Sequence, residues 1–265
     1  MKKTFFLPVI ILLISFNGIG QKTDQDSIAK EAKKTEIYSP VPPIINAGVT
    51  LQDAPSDAII LFNGKNLDAW YGDDSTKAAG WDIASGIMTV NKKAGRIITK
   101  QKFEDYQLHL EWKIPVNITG ENQNRGNSGV FLAYLGTAQN PSDSGYELQI
   151  LDNYNNTTYV NGQCGSIYKQ SIPLANVCKK PGEWQTYDII WKAPKFNTDG
   201  SLKTPAYVTV LQNGVLIQDH TELQGQTLWV GKPKYEIHGA SPISLQSHGD
   251  PSEPISFKNI WIRPL

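Results

Sequence analysis

The chain has 265 residues, with 25 lysines and arginines against 25 aspartates and glutamates, and no net charge at neutral pH. That balance excludes the broad positive field needed to hold nucleic acid or an anionic membrane surface. Seven tryptophans and eleven tyrosines suit an uncharged polar ligand such as a sugar, and the two cysteines make no Cys-x-x-Cys metal motif.

Residues 1–20 read as a secretory signal: Lys2 and Lys3, an apolar run over 5–16, then small residues up to Gly20. The run is shorter than the roughly 20 residues that span a bilayer. The expectation is an exported chain, periplasmic or secreted, cleaved after Gly20 and without an integral membrane domain. Residues 21–56 form a polar and then Pro-rich tether (Pro40, Pro42, Pro43), with a short helix over 26–34. In an exported protein, Cys164 and Cys178 are expected to form one disulfide.

From residue 57 onward the pattern is strands. Residues 58–62 are apolar and end in Asn63-Gly64. Residues 81–84 and 87–90 flank Ser85-Gly86, a hairpin signal. Over 105–114 the alternation is clean: Tyr106, Leu108, Leu110, Trp112 and Ile114 share one face, and His109, Glu111 and Lys113 the other. Further strands are expected over 128–134, 145–152, 185–192, 207–212, 215–218, 243–246 and 255–262. Asn213-Gly214 marks another hairpin. Many short strands without a long amphipathic helix predict one all-β domain over 57–265, a sandwich or jelly roll.

The stretch Gly145-Tyr146-Glu147-Leu148-Gln149-Ile150-Leu151-Asp152 is the functional centre. A strand puts Glu147 and Gln149 on one face and Leu148 and Ile150 on the other. A β-bulge near Ile150-Leu151 would return Asp152 to the polar face, so that two carboxylates converge on one ligand.

Several motifs carry a resemblance. They are Leu61-Phe62-Asn63-Gly64-Lys65-Asn66-Leu67 with Trp70, then Gly126-Asn127-Ser128-Gly129-Val130-Phe131, then Tyr146 to Asp152. Gly182-Glu183-Trp184, Asn213-Gly214-Val215, Leu245-Gln246 with His248-Gly249, and Phe257 with Asn259-Ile260 complete the ordered set. Over residues 58–265 the chain resembles the 3-keto-disaccharide hydrolase domain family. Gln185, Lys258 and a longer 250–254 segment depart from its pattern. The resemblance implies a concanavalin A-like jelly-roll β-sandwich and a glycoside hydrolase or lyase acting on 3-keto-glycosides, alongside a sugar 3-dehydrogenase.

In such chemistry the C3 ketone acidifies the C2 proton, a base removes it, and the group at C1 is expelled. Glu147 is the expected base, with Asp152 second and His248 as proton donor or ketone polariser. Arg125 would steady the enolate. Asn127, Gln149, Tyr168, Lys169 and Gln246 are the expected sugar contacts, with Trp229 and Tyr235 as a stacking rim. A divalent cation stays open, with Glu147, Asp152 and His248 as ligands, though nothing in the spacing requires one. Two other classes compete. A retaining glucanase would need two carboxyl groups about 5–5.5 Å apart, and Gln149 replaces the middle acid of that pattern. A non-catalytic carbohydrate-binding module would need no converging acids.

Overall fold

The computed structural model describes residues 19–136 and 144–265. The chain divides into two compact units, residues 1–44 and 45–265. In the first, helix α1 (Ile19–Ala32) and a following 3-10 turn (Lys33–Thr35) cover the short helix expected over 26–34 and begin earlier. The helix begins just before Gly20, and residues 1–18 of the expected signal lie outside the described residues.

The second unit is the expected all-β sandwich, though it starts earlier than residue 57. The carbonyl of Gln52 accepts hydrogen bonds from Asn259 Nδ2 (2.8 Å) and Trp261 Nε1 (3.1 Å), which ties residues 45–56 to the β unit. Its strands, in chain order, are β1 (Ile59–Phe62), β2 (Trp70–Tyr71), β3 (Asp82–Ala84), β4 (Ile87–Thr89), β5 (Ile97–Thr99), β6 (Tyr106–Lys113), β7 (Ser128–Tyr134) and β8 (Gly145–Ile150). They continue as β9 (Trp184–Lys192), β10 (Lys195–Phe196), β11 (Leu202–Thr204), β12 (Tyr207–Gln212), β13 (Val215–Glu222), β14 (Ser244–Leu245) and β15 (Ser256–Pro264).

The larger sheet runs β13-β12-β9-β6-β15-β4-β3, with β1 beside the far half of β15; the smaller runs β2-β5-β14-β7-β8. All the ladders are antiparallel. Both expected tight hairpins form, because Ser85-Gly86 (φ 51° and 78°) and Asn213-Gly214 (φ 54° and 79°) take the positive φ that such turns need.

The alternating faces meet between the sheets. Leu108, Leu110 and Trp112 on β6, with Tyr187 and Ile189 on β9, pack toward Val130 and Leu132 on β7 and Leu148 and Ile150 on β8. Each of these large side chains contributes about 1.5–3 kcal/mol by leaving water. Two tyrosines cross the core and pin the sheets together: Tyr106 Oη donates to the Leu132 carbonyl (2.6 Å) and Tyr187 Oη to the Gln149 carbonyl (2.8 Å). On the outer face of β6, His109 is buried by stacking on Trp261 and by Asp188 Oδ1 at 2.7 Å from its Nδ1.

Two expectations are corrected here. The register irregularity of the β7–β8 ladder lies between Phe131 and Tyr134, at the opposite end from Ile150. Strand β8 stops at Ile150, and Leu151 follows Ile150 into the core. The broken alternation therefore marks a strand end, not a bulge. Cys164 and Cys178 are free thiols, not a disulfide. Both sulfurs lie 3.6 Å from Gln212 Nε2, and Cys164 also meets Tyr187 Oη at 3.0 Å. Burial pushes the Cys164 thiol well up, which keeps it protonated.

Candidate active site

The site lies on the outer face of the smaller sheet, opposite the core. Strand alternation turns Glu147 and Gln149 onto that face, yet they are only 5 % and 1 % exposed. A loop buries them. The free edge of β8 is paired by residues 165–168: Gln149 N–H donates to the Ser166 carbonyl (3.0 Å), and Tyr168 N–H to the Glu147 carbonyl (3.1 Å). Thr227 adds a cap, its Oγ1 accepting from Glu147 N–H at 3.0 Å.

Beneath Glu147 the sequence places Gly129, paired with Gln149 across the ladder. A Cβ at Gly129 would stand 2.4 Å from Glu147 Oε1 and 3.0 Å from its Cδ. The glycine thus makes the depression in which the carboxylate lies. Next along the sheet, the Gly129 carbonyl receives Gln246 N–H (2.9 Å) and Ser128 Oγ donates to the Gln246 carbonyl (2.7 Å). This carries the chain two residues on to His248.

Glu147, Gln149, Gln246 and His248 line one cavity of about 420 Å³, a volume suited to a small ligand. Gln123, Asn124 and Asn127, with Tyr159, Tyr168 and Trp229, complete the lining. Tyr159 and Tyr168 share a 2.5 Å hydroxyl hydrogen bond. Burial pushes the Tyr159 hydroxyl up, the Tyr168 bond draws it back, and the Glu147 charge adds to the rise. Trp229 is 61 % exposed at the mouth. A larger surface cleft of about 680 Å³ lies over β2 and β3, lined by Lys65, Lys77 and Lys100 among others, and it contains neither glutamate nor histidine.

His248 has a partner that the sequence reading missed. Its Nδ1 lies 3.0 Å from Oδ2 of buried Asp250. The Asp250 N–H also approaches Nδ1, at 3.2 Å. We assign the proton to Nδ1, because the bond to a carboxylate is the stronger. That leaves Nε2 as the second, free nitrogen of the ring. Burial pushes the Asp250 carboxyl up, but the hydrogen bonds from His248 and Ser252 and the charge of Lys92 outweigh it and hold it low. Lys92 Nζ also donates to the carbonyls of Asp250 and Ser252, each at 2.6 Å. The signal was present as a His-x-Asp spacing in the unusually long 250–254 segment.

Of the residues expected from sequence, the cavity gathers Glu147, His248, Asn127, Gln149, Tyr168 and Gln246. Asp152 is not among them. With β8 ended at Ile150, its carboxylate turns away and pairs with Arg125, Oδ2 to Nε at 2.7 Å. Arg125 Nη1 also donates to the Ile118 and Gly120 carbonyls at 3.2 and 3.3 Å. Both residues thereby brace the loop that carries Gln123 and Asn127. Asn156 joins the brace, donating from Nδ2 to the carbonyls of Asn122 and Asp152.

Lys169 also stays outside the cavity lining. Its Nζ donates to the Trp229 carbonyl at 2.6 Å and stands 5.6 Å from the Tyr168 ring centre, so it fixes the mouth. Tyr235 is not on the rim, because its hydroxyl bonds the Leu223 carbonyl and the Ala206 N–H. The ligand set considered for a divalent cation does not assemble, since Asp152 is committed to Arg125. Among the described residues no group of three His, Cys, Asp or Glu could hold a metal ion.

Comparison with known proteins gives consistent findings. The model of the 3-keto-alpha-glucoside-1,2-lyase-like domain matches residues 57–263. A curated relative from Bacteroides thetaiotaomicron, a 3-keto-disaccharide hydrolase, is 26% identical in a 248-residue alignment that covers 80% of this chain and 80% of that one. A crystal structure from Parabacteroides distasonis, provisionally described as a glycosyl hydrolase, is 58% identical. It superposes with a TM-score of 0.81 over 88% of this chain and 96% of that one. A second structure so described from the same organism, 22% identical with a TM-score of 0.60 over 84% of this chain and 100% of that one, shares the fold.

Proposed function

We propose a function from one premise: the chain belongs to the 3-keto-alpha-glucoside-1,2-lyase-like domain family. The family and the names of its relatives support a carbohydrate enzyme of glycoside hydrolase type. The specific reaction is net hydrolysis of a 3-keto-glycoside by elimination and hydration. The observation that carries this reading is one cavity lined by both a single buried carboxylate, Glu147, and a carboxylate-oriented imidazole, His248.

Glu147 removes the proton from C2, and the electron pair passes into the C3 carbonyl as an enolate. The pair then returns, a C1–C2 double bond forms, and the bond from C1 to the glycosidic oxygen breaks. That oxygen leaves with its bonding electrons and takes a proton from the site. Water then adds across the double bond, with hydroxyl to C1 and hydrogen to C2, and releases a 3-keto sugar. His248 serves the leaving oxygen or the ketone, with Asp250 holding the ring in place. Asp152 and Arg125, braced against each other, take no direct part. A retaining glucanase needs a second carboxylate about 5–5.5 Å from the first; Gln149 replaces the middle acid of that pattern, and Asp152, its last acid, is paired with Arg125 outside the cavity. Trp229 and Tyr159 at the mouth offer flat surfaces to the leaving group.

The substrate requires prior oxidation of a glycoside at C3, so a sugar 3-dehydrogenase is the class of enzyme that supplies it. Export rests on residues 1–20 alone. The test compares cleavage of a 3-keto-glucoside with that of its parent glucoside, for the native chain and for Glu147→Gln. Cleavage of the keto substrate only, lost in Glu147→Gln, supports the reading. Cleavage of the parent alone overturns it, and tight sugar binding without turnover of either points to a binding module. Hydrogen exchange at C2 in heavy water reports the enolate directly.

A further inference from the structure

Three amide side chains in the cavity wall have an oxygen that is buried and accepts no hydrogen bond from the protein: Asn127 Oδ1, Gln149 Oε1 and Gln246 Oε1. Buried amide oxygens are ordinarily satisfied. An amide can usually exchange its two ends by a half-turn, so an idle oxygen would be free to swap with its own NH2 group. Two of these three cannot. Asn127 Nδ2 donates to the Gln123 carbonyl at 2.8 Å and lies 3.5 Å from Gln123 Oε1. Gln149 Nε2 donates to Gln123 Oε1 at 3.1 Å and to the Gly162 carbonyl at 3.3 Å. A half-turn of either would set oxygen against oxygen.

Gln123 itself is oriented from outside the cavity. Its Nε2 donates to the Gly162 carbonyl at 2.8 Å and to Thr158 Oγ1 at 2.9 Å. A backbone carbonyl is only an acceptor, so the polarity of Gln123 is set, and through it that of Gln149; Asn127 is held by the main-chain carbonyl of Gln123. The order runs from the Gly162 carbonyl to Gln123 Nε2, from Gln123 Oε1 to Gln149 Nε2, and ends on Gln149 Oε1.

Resting on the reading of the ligand as a sugar, we infer that Gln123 is a specificity-determining positioning residue. It presets Gln149 as an acceptor, beside Asn127 whose amide is set by the main chain, so that this wall selects ligands presenting hydroxyl donors. The carbonyl of a keto-sugar is itself an acceptor and is turned away from this wall by the same polarity. The ring hydroxyls face the wall, and the ketone faces the groups on the other side of the cavity. A site of this kind rejects a ligand lacking the donor, because the acceptor is then left buried and unpaired.

The test measures calorimetric binding to the full chain carrying Glu147→Gln, so that no turnover intervenes. The probes are methyl 3-keto-α-glucoside and its 2-deoxy, 4-deoxy and 6-deoxy analogues. With Gln123 in place, at least one deoxy analogue binds roughly tenfold or more weakly than the parent probe. In Gln123→Met the parent probe weakens and the deoxy penalty carried by Gln149 shrinks to within about threefold, because Gln149 keeps only the longer 3.3 Å bond to the Gly162 carbonyl and turns to suit either ligand. A purely structural role would weaken all probes alike. Gln149→Met removes the preset acceptor itself, so it should abolish the penalty and tests the inference even where the Gln123 variant folds poorly. A penalty absent with Gln123 in place, or unchanged in Gln123→Met, overturns the inference. Failure of the elimination chemistry is distinguishable: the native chain would then keep the deoxy penalty while cleaving no 3-keto-glucoside.

Discussion

Replacing Gly129 by alanine tests whether Glu147 needs the depression in which it lies. The added Cβ would stand 2.4 Å from Glu147 Oε1, where ordinary contact begins at 3.4 Å, so the carboxylate must withdraw by about 1 Å. A misplacement of that size costs on the order of 100-fold in rate, or about 2.7 kcal/mol of barrier. The fold should survive. Gly129 does not occupy the left-handed backbone region, and the colliding group is the end of a flexible side chain. Gly to Ala at an unstrained position gains about 0.4–1 kcal/mol through the unfolded chain, which offsets the local crowding. The assay is kcat/KM on a 3-keto-glucoside, with a urea titration as the control. The expected result is an approximately 100-fold loss with stability changed by less than about 1 kcal/mol. In a Glu147→Ala background, Gly129→Ala should cost nothing further. Full activity in Gly129→Ala, or an equal loss in both backgrounds, refutes the reasoning.

Asp250→Asn should lower kcat by roughly 10- to 100-fold with little change in KM, because the ring of His248 loses the acceptor that sets its tautomer; steady-state kinetics decides it. Asp152→Asn removes one partner of a buried ion pair and should cost about 3–5 kcal/mol in a denaturant titration, an effect on the loop brace and not on proton transfer. Trp229→Ala should raise KM by roughly 5- to 10-fold for substrates with a sugar or aromatic leaving group and leave a methyl glycoside unchanged. Burial pushes the His238 imidazole down from 6.5, so the unfolded chain takes its proton first. Its contribution is complete above about pH 6.5 and is lost as pH falls through the lower folded value, a slope in the urea midpoint that His238→Gln should flatten. At still lower pH the depressed carboxyl of Asp250 adds a second loss, present in full above the usual carboxylate range and removed as that group protonates.

How much of this was legible in the sequence follows from the range of the forces involved. Strand alternation is local geometry with a period of two. It alone assigned Tyr106, Leu108 and Trp112 to the core and set Glu147 and Gln149 on the opposite face of β8, while the Asn213-Gly214 pair marked its own turn. The ordered motifs identified the family from residues that need not be neighbours in space. Where β8 ends was another matter. Leu151 follows Ile150 into the core, and that single turn of the chain sent Asp152 to Arg125 instead of to the cavity. The partners of His248 and Gln149 are likewise distant or loop-borne, and no periodicity announces them. The two thiols are free, and Gln212, which reaches both of them, comes from a strand far along the chain. The residue types and their faces were decided by the sequence. The tertiary structure decided which of two carboxylates reaches the ligand, because burial, charge pairing and amide polarity depend on what lies across the space between elements.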